Sequence, residues 1–183
     1  RAVSEEGAEV AREAATRAAA LGIPLVSGGA RGVDQIAMNT AYQAGGSVVA
    51  VLADALTKTI GRTDVRQALL DDSTVMCTPY GPEAGFSVGN AMGRNKIIYG
   101  LATVTLVVAS DHDSGGTWAG ATEALRHGFG RVVVWNGPGE GPGNAALIER
   151  GGIAITDVGL LDAIIDQAEV PIEEPPEVVQ PSL

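Results

Sequence analysis

A single cysteine, Cys77, is all that 183 residues contain, so an internal disulfide framework is excluded and a reducing compartment suits the chain. It closes a short apolar run with Val75 and Met76, which predicts a buried structural thiol rather than a nucleophile. Aromatics make up 4% of the residues, so any core must be built from small aliphatic side chains. No apolar run reaches the roughly 20 residues of a membrane span, and no basic-then-apolar leader opens the chain. A soluble, cytoplasmic protein without membrane contact is expected. Histidines number two, His112 and His127, and neither stands near an evident nucleophile. Asp111, His112 and Asp113 form a polar turn with no further ligand at metal spacing. Neither metal, cofactor nor catalytic residue is therefore expected, and the pattern favours binding over covalent chemistry.

Basic residues are also scarce, 12 against 22 acidic, for a formal net charge of −10. That balance excludes a broad cationic face. Its distribution leaves room for a local one. Residues 157–183 hold seven acidic groups and no basic one, which leaves the first 156 residues at a net −3. Between Arg31 and Lys96 the count is six against six.

What the chain has in plenty is alternation. Ser4, Glu5 and Glu6 begin an alanine-rich helix over 4–21 that stops at Leu21-Gly22. Apolar runs at 23–27, 47–52, 74–77, 103–109, 131–135 and 153–156 predict strands, each bounded by turn residues. Helical patterns fill 33–44, 62–70, 91–101, 117–127, 144–150 and 158–167. Alternating strands and helices imply an α/β fold, doubly wound, with a mostly parallel sheet and helices on both faces, Rossmann-like. One domain over 1–168 is expected, followed by an acidic, proline-rich tail over 169–183.

Twenty-five glycines are unevenly placed, and many gather at predicted strand ends. The clusters are SGGARG (27–32), GFSVGNAMGRNK (85–96), DSGGTWAG (113–120) and WNGPGEGPGN (135–144). In parallel α/β folds ligands bind beyond the carboxyl ends of strands, where helix N-termini point free amides outward. Ser27, Gly28, Gly29, Arg31 and Gly32 have the makings of a phosphate cradle: amides without side chains, a hydroxyl and a forked guanidinium. The other reading is a tight strand-to-helix turn with Arg31 in solvent and Asp34 as an ordinary helix-start acid. Arg94, Asn95 and Lys96 enter a helix against its dipole, so a compensating anion or an internal carboxylate is expected beside them. Gly115, Gly116 and Thr117 offer amides and a hydroxyl at another helix start. For Trp118 a base-stacking role and a core role both stand open.

Taken together, the segments VSGGARGVDQIA (26–37), AGGSVVAVLADAL (44–56), GRNKIIYGLA (93–102), DSGGTWAGATEAL (113–125) and GPGNAALIERGG (141–152) resemble the Rossmann-like core of the DprA/Smf family of DNA-processing proteins. The resemblance implies single-stranded DNA as ligand, a homodimer, and a part in loading a RecA-type recombinase during natural transformation. It places Ser27, Gly28, Gly29, Arg31 and Gly32, with Arg94 and Lys96, at a DNA phosphate. The family's arginine-asparagine-arginine run stands here as Arg94-Asn95-Lys96, a point charge replacing a fork. The family pattern also sets a strand ahead of the first helix, so a strand is expected to precede Arg1. A wider superfamily includes phosphoribohydrolases of nucleoside monophosphates. Their Gly-Gly-x-Gly-Thr-x-x-Glu motif is echoed, at a different spacing, by Gly115, Gly116, Thr117 and Glu123. Such an enzyme, or a sensor of a nucleotide-like ligand, is the alternative function.

Overall fold

The structure, a computed structural model, describes residues 3–168; the tail read over 169–183 lies outside the described residues. Helices and strands alternate almost throughout, in the order α1 (Glu5–Ala20), β1 (Leu25–Ser27), α2 (Val33–Gln43), β2 (Val48–Val51), α3 (Leu56–Ile60), α4 (Thr63–Leu70), β3 (Thr74–Cys77), α5 (Val88–Leu101), β4 (Val104–Val107), α6 (Gly115–His127), β5 (Arg131–Trp135), α7 (Asn144–Glu149), β6 (Ile153–Ile155) and α8 (Leu160–Asp166). Every pairing is parallel, as crossover helices require.

The α/β class is the expected one, but the strands form two sheets rather than one. β1, β2 and β3 pair in that order, β4, β5 and β6 pair in that order, and β1 and β4 are not hydrogen-bonded to each other. In the first sheet Val26 lies opposite Val49, and Val49 opposite Val75; in the second Leu106 lies opposite Val133, and Val133 opposite Ile153. Cys77 ends β3, an edge strand, and is half-buried rather than buried as its apolar run suggested.

One apolar cluster joins α1 and α8 to the second sheet through Val10, Ala11, Val108, Val133, Ile155 and Leu161. A second, on α6 and α7, gathers Tyr99, Val107, Trp118, Val132 and Leu147. Alanine does for α1 and α2 what larger residues do elsewhere: Ala15 and Ala41 are sealed against Val48, so the two helices approach closely. Each fully buried Val, Leu or Ile contributes about 1.5–3 kcal/mol. The strand-end loops thus stand on a firm base in both half-sheets.

α1 begins as its sequence dictates, with the Ser4 hydroxyl accepting the Gly7 amide at 3.0 Å and Glu5 and Glu6 in the first turn. Ser87 caps α5 in the same way through Asn90, so this helix starts three residues earlier than the apolar pattern alone indicated.

Candidate functional site

The segment after β1 leaves Ser27 and turns into α2 at Gly32. Gly29, at φ +68°, and Gly32, at φ +97°, occupy backbone conformations that disfavour side chains. Gly28 has a different reason. A Cβ there would lie 1.7 Å from Arg94 Nη1. The Arg94 guanidinium reaches from α5 under this loop and donates from Nη1 to the Val51 carbonyl at the end of β2, 2.6 Å away. Arg94 is only 5% exposed and its Nε has no partner among the described residues. Burial disfavours its charge and lowers its pKa, while Asp34, Tyr80 and Asp54 act in the opposite sense.

Asp34, in the first turn of α2, folds back so that Oδ2 accepts the amides of Gly28 at 3.3 Å and Ala30 at 3.2 Å. It is a brace for the loop as well as a helix-start acid. Two amides of the cradle are therefore already engaged. Arg31 is exposed and has no hydrogen-bond or ion-pair partner among the described residues.

Across the crevice, the segment after β4 enters α6. Gly115 stands at φ +82°, and the Asn95 amide, from α5, donates to the Gly116 carbonyl at 3.0 Å. Behind it Asn144, wholly buried at the start of α7, ties three main-chain groups together. Its Nδ2 donates to Val108 at 2.9 Å and to Trp135 at 2.8 Å, and its Oδ1 accepts the Ser110 amide at 2.8 Å. A Cβ on Gly141 or Gly143 would collide with the main chain of Ser110 or Asp111. The fourth glycine cluster therefore packs against the segment 110–112 that leads into the third. Trp118 takes the core role: it is 7% exposed, packs 5.0 Å from the His112 ring and lies under the Arg150 guanidinium at 5.2 Å.

Of the residues singled out in the sequence, Ser27, Arg31, Gly32, Arg94, Asn95, Gly115, Gly116 and Thr117 line one cavity of about 1360 Å³, which continues down between the two sheets. Lys96 stands apart from it, paired with Glu123 at 2.9 Å on the outer side of α5 and α6. Because α5 starts at Val88, Arg94, Asn95 and Lys96 lie in its middle and not at its entry, so the dipole conflict expected from the sequence does not arise; the Glu123 carboxylate pairs Lys96 as one surface ion pair between two helices. Asp34 and Asn144 were not recognised as site residues, although an acid four to six positions after a glycine turn signals such a brace. Nothing local in the sequence marks Asn144, whose partners lie 9 to 36 positions away. Among the described residues no group of three or more His, Cys, Asp or Glu is placed to hold a metal ion. No described helix is long and apolar enough to cross a membrane.

Parallel strands whose glycine-rich carboxyl ends face one crevice define a Rossmann-like α/β protein. Known proteins make the class more specific. The profile of the family described as DNA recombination-mediator protein A matches residues 1–164. Over 141 residues the chain is 33% identical to Protein Smf of Escherichia coli (strain K12), a stretch covering 74% of this chain and 37% of that protein. The chain thus belongs to the DNA recombination-mediator protein A (DprA/Smf) family, and spans little more than a third of that relative's length. Its fold is shared by DNA processing protein A from Streptococcus pneumoniae, with a TM-score of 0.72 at 24% identity over 87% of this chain and 57% of that one. The Helicobacter pylori protein of the same name, described for its single-stranded DNA binding mode, gives 0.70 at 19% identity over 90% and 76%.

Proposed function

We propose that this chain binds single-stranded DNA, with a backbone phosphate seated between the 27–32 loop and the start of α6, and that it acts as a recombination mediator that helps load a RecA-type recombinase. One observation carries the phosphate seat. Of the six helices without a side-chain cap among the described residues, α2 and α6 are the two longest, and the starts of both line the crevice, whereas α1 and α5 have serine caps on their first-turn amides. Each such terminus presents about half a positive charge in unpaired amides. Arg31, exposed and without a partner among the described residues, adds a forked donor beside them. Asp34 and Arg94 hold the loop in shape and leave the contact itself to Arg31, Ser27 and the amides of both helix starts.

Family membership supports DNA rather than a free nucleotide as the ligand, in a cytoplasmic homodimer. A phosphoribohydrolase is less well supported, because Glu123 is engaged by Lys96 outside the crevice. The test is titration of a labelled oligothymidylate at two salt concentrations. Arg31→Ala is expected to lower affinity about tenfold or more and to make the salt dependence shallower by about 0.7 in the log–log slope, one phosphate contact on a single strand. An unchanged slope would defeat this seat for the phosphate. Displacement of the oligonucleotide by AMP at roughly its own concentration would replace DNA with a nucleotide as the natural ligand.

A further inference from the structure

Arg94 and Asn95 are neighbours on α5, and neighbouring side chains on a helix point about 100° apart. The two serve opposite lips of the crevice. Arg94 lies under the 27–32 loop on its way to the Val51 carbonyl, whereas Asn95 donates from Nδ2 to the Gly116 carbonyl in the first turn of α6. That second contact is built into the crossing of α5 and α6. A Cβ on Gly116 would lie 3.3 Å from Asn95 Nδ2, and one on Gly120 would lie 2.7 Å from the Tyr99 ring and 3.4 Å from Asn95 Cβ. Glycines four apart on α6 thus admit Asn95 and Tyr99, four apart on α5. Tyr99 is buried, so the crossing is closed behind the crevice. α6 needs a hold from outside itself, because Ser114 stands at its capping position with an extended backbone and makes no capping bond.

We propose that Asn95 is a positioning residue: with Arg94 it makes one turn of α5 a gauge that sets the separation between the first-turn amides of α2 and those of α6. The inference rests on the phosphate seat proposed above and names what gives that seat its width. Asn95 itself is not a contact for the ligand, since Nδ2 is held on Gly116 and Oδ1, an acceptor, has nothing to give a phosphate. A phosphodiester that meets amides of both helix starts needs them at one separation, and lips that first had to be drawn together would lose part of the contact to ordering. Referring both lips to adjacent residues of one helix meets that cost in folding. It also leaves little play, because any shift of one lip against the other must pass through a single turn of α5.

The test uses Asn95→Ala and Gly120→Ala in the 183-residue chain, each checked for folding by a urea melt. Without DNA, Asn95→Ala is expected to speed exchange of the Ala119 and Gly120 amides, which close the first turn of α6, by about tenfold. A residue that only touched DNA would leave them unchanged. Gly120 does not line the crevice, so its new Cβ can act on binding only by pushing α6 off Tyr99 and Asn95. Each variant is expected to weaken oligothymidylate binding about tenfold, and the two together by much less than the product, because both displace the same lip. Unchanged exchange in a folded Asn95→Ala chain, or a double variant that shows the full product, overturns the proposal. So does unchanged affinity in Asn95→Ala while Arg31→Ala still weakens binding, a result that leaves the phosphate seat standing; if neither substitution weakens binding, the seat falls with the gauge. Should Gly120→Ala fail to fold, exchange and affinity in Asn95→Ala decide alone.

Discussion

Gly28 and Arg94 are 66 positions apart, yet the structure makes each the condition of the other. In Gly28→Ala the new Cβ would lie 1.7 Å from Nη1 and 2.2 Å from Cζ of Arg94. A surface arginine would swing aside at little cost. This one is 5% exposed and bonded to the Val51 carbonyl, so displacement breaks a charge-assisted hydrogen bond and leaves a cation buried without its partner. The bond is worth about 1.5–3 kcal/mol and an abandoned buried charge up to roughly 3–5. Alanine restricts the unfolded chain and returns about 0.4–1 kcal/mol. The net expected loss is about 2–4 kcal/mol, a fall in Tm of about 4–16 °C for a chain of this size. Arg94→Ala, which leaves a cavity and an unpaired carbonyl, is expected to destabilise by a similar amount. In that background Gly28→Ala meets no guanidinium and becomes neutral or slightly stabilising. Urea and thermal melts of the wild type, both single variants and the double variant give the coupling, expected at about 2–4 kcal/mol. A coupling below about 0.5 kcal/mol would show that the contact does not govern the loop, and the account of Gly28 would fail.

Three further outcomes follow from the bracing of the crevice. Asp34→Ala removes two rather long bonds to loop amides and is expected to cost about 1–2 kcal/mol and to speed exchange of the Gly28 and Ala30 amides; unchanged exchange would contradict the brace. Asn144→Asp keeps the shape but cannot donate to Val108 and Trp135, so a loss of about 3–5 kcal/mol is expected in urea melts, and one below 1 would be inconsistent with three buried bonds. Glu123→Gln breaks a pair whose lysine is 56% exposed, so stability should change by less than about 1 kcal/mol and oligonucleotide affinity not at all; loss of a nucleotide-cleaving activity would instead revive the enzyme reading.

Periodicity made the elements legible. β3 and β5 have the bounds expected from their apolar runs, and the remaining strands differ only by one or two residues at an end. α3 was missed because its five residues carry no cap and little helical pattern; Thr57, which bonds through both amide and hydroxyl to the Pro82 carbonyl, takes its place from a segment 25 positions away. The division of the sheet was hidden for a related reason, since apolar runs announce strands and not their neighbours. At the site, position was legible and purpose was not. Glycine at 29 and 32 answers to backbone angles, which the turn signals implied. Glycine at 28 answers to an arginine on α5, and glycines 141 and 143 to the main chain of Ser110 and Asp111, contacts made only by the folded chain.

A net charge of −10 sits poorly with a DNA ligand only while binding is imagined as cation against phosphate. Around the crevice the formal cations are few: Arg94 is spent on Val51 and Arg17 on Asp162, while Arg31 is exposed and has no partner among the described residues. The remaining attraction comes from peptide dipoles at the starts of α2 and α6, which together amount to about one unit of positive charge. Such a site has room for a small number of phosphates. Since each phosphate on a single strand contributes about 0.7 to the log–log salt slope, the dependence of binding on salt should be shallow, about 1–2. Dipole fields fade within a helical turn, so a phosphate seat of this kind would select by geometry what comes close, while the acidity of the rest of the chain would repel a polyanion that does not fit. On the proposed seat for one strand, low basic content would serve recognition by keeping duplex and loosely bound DNA from covering it.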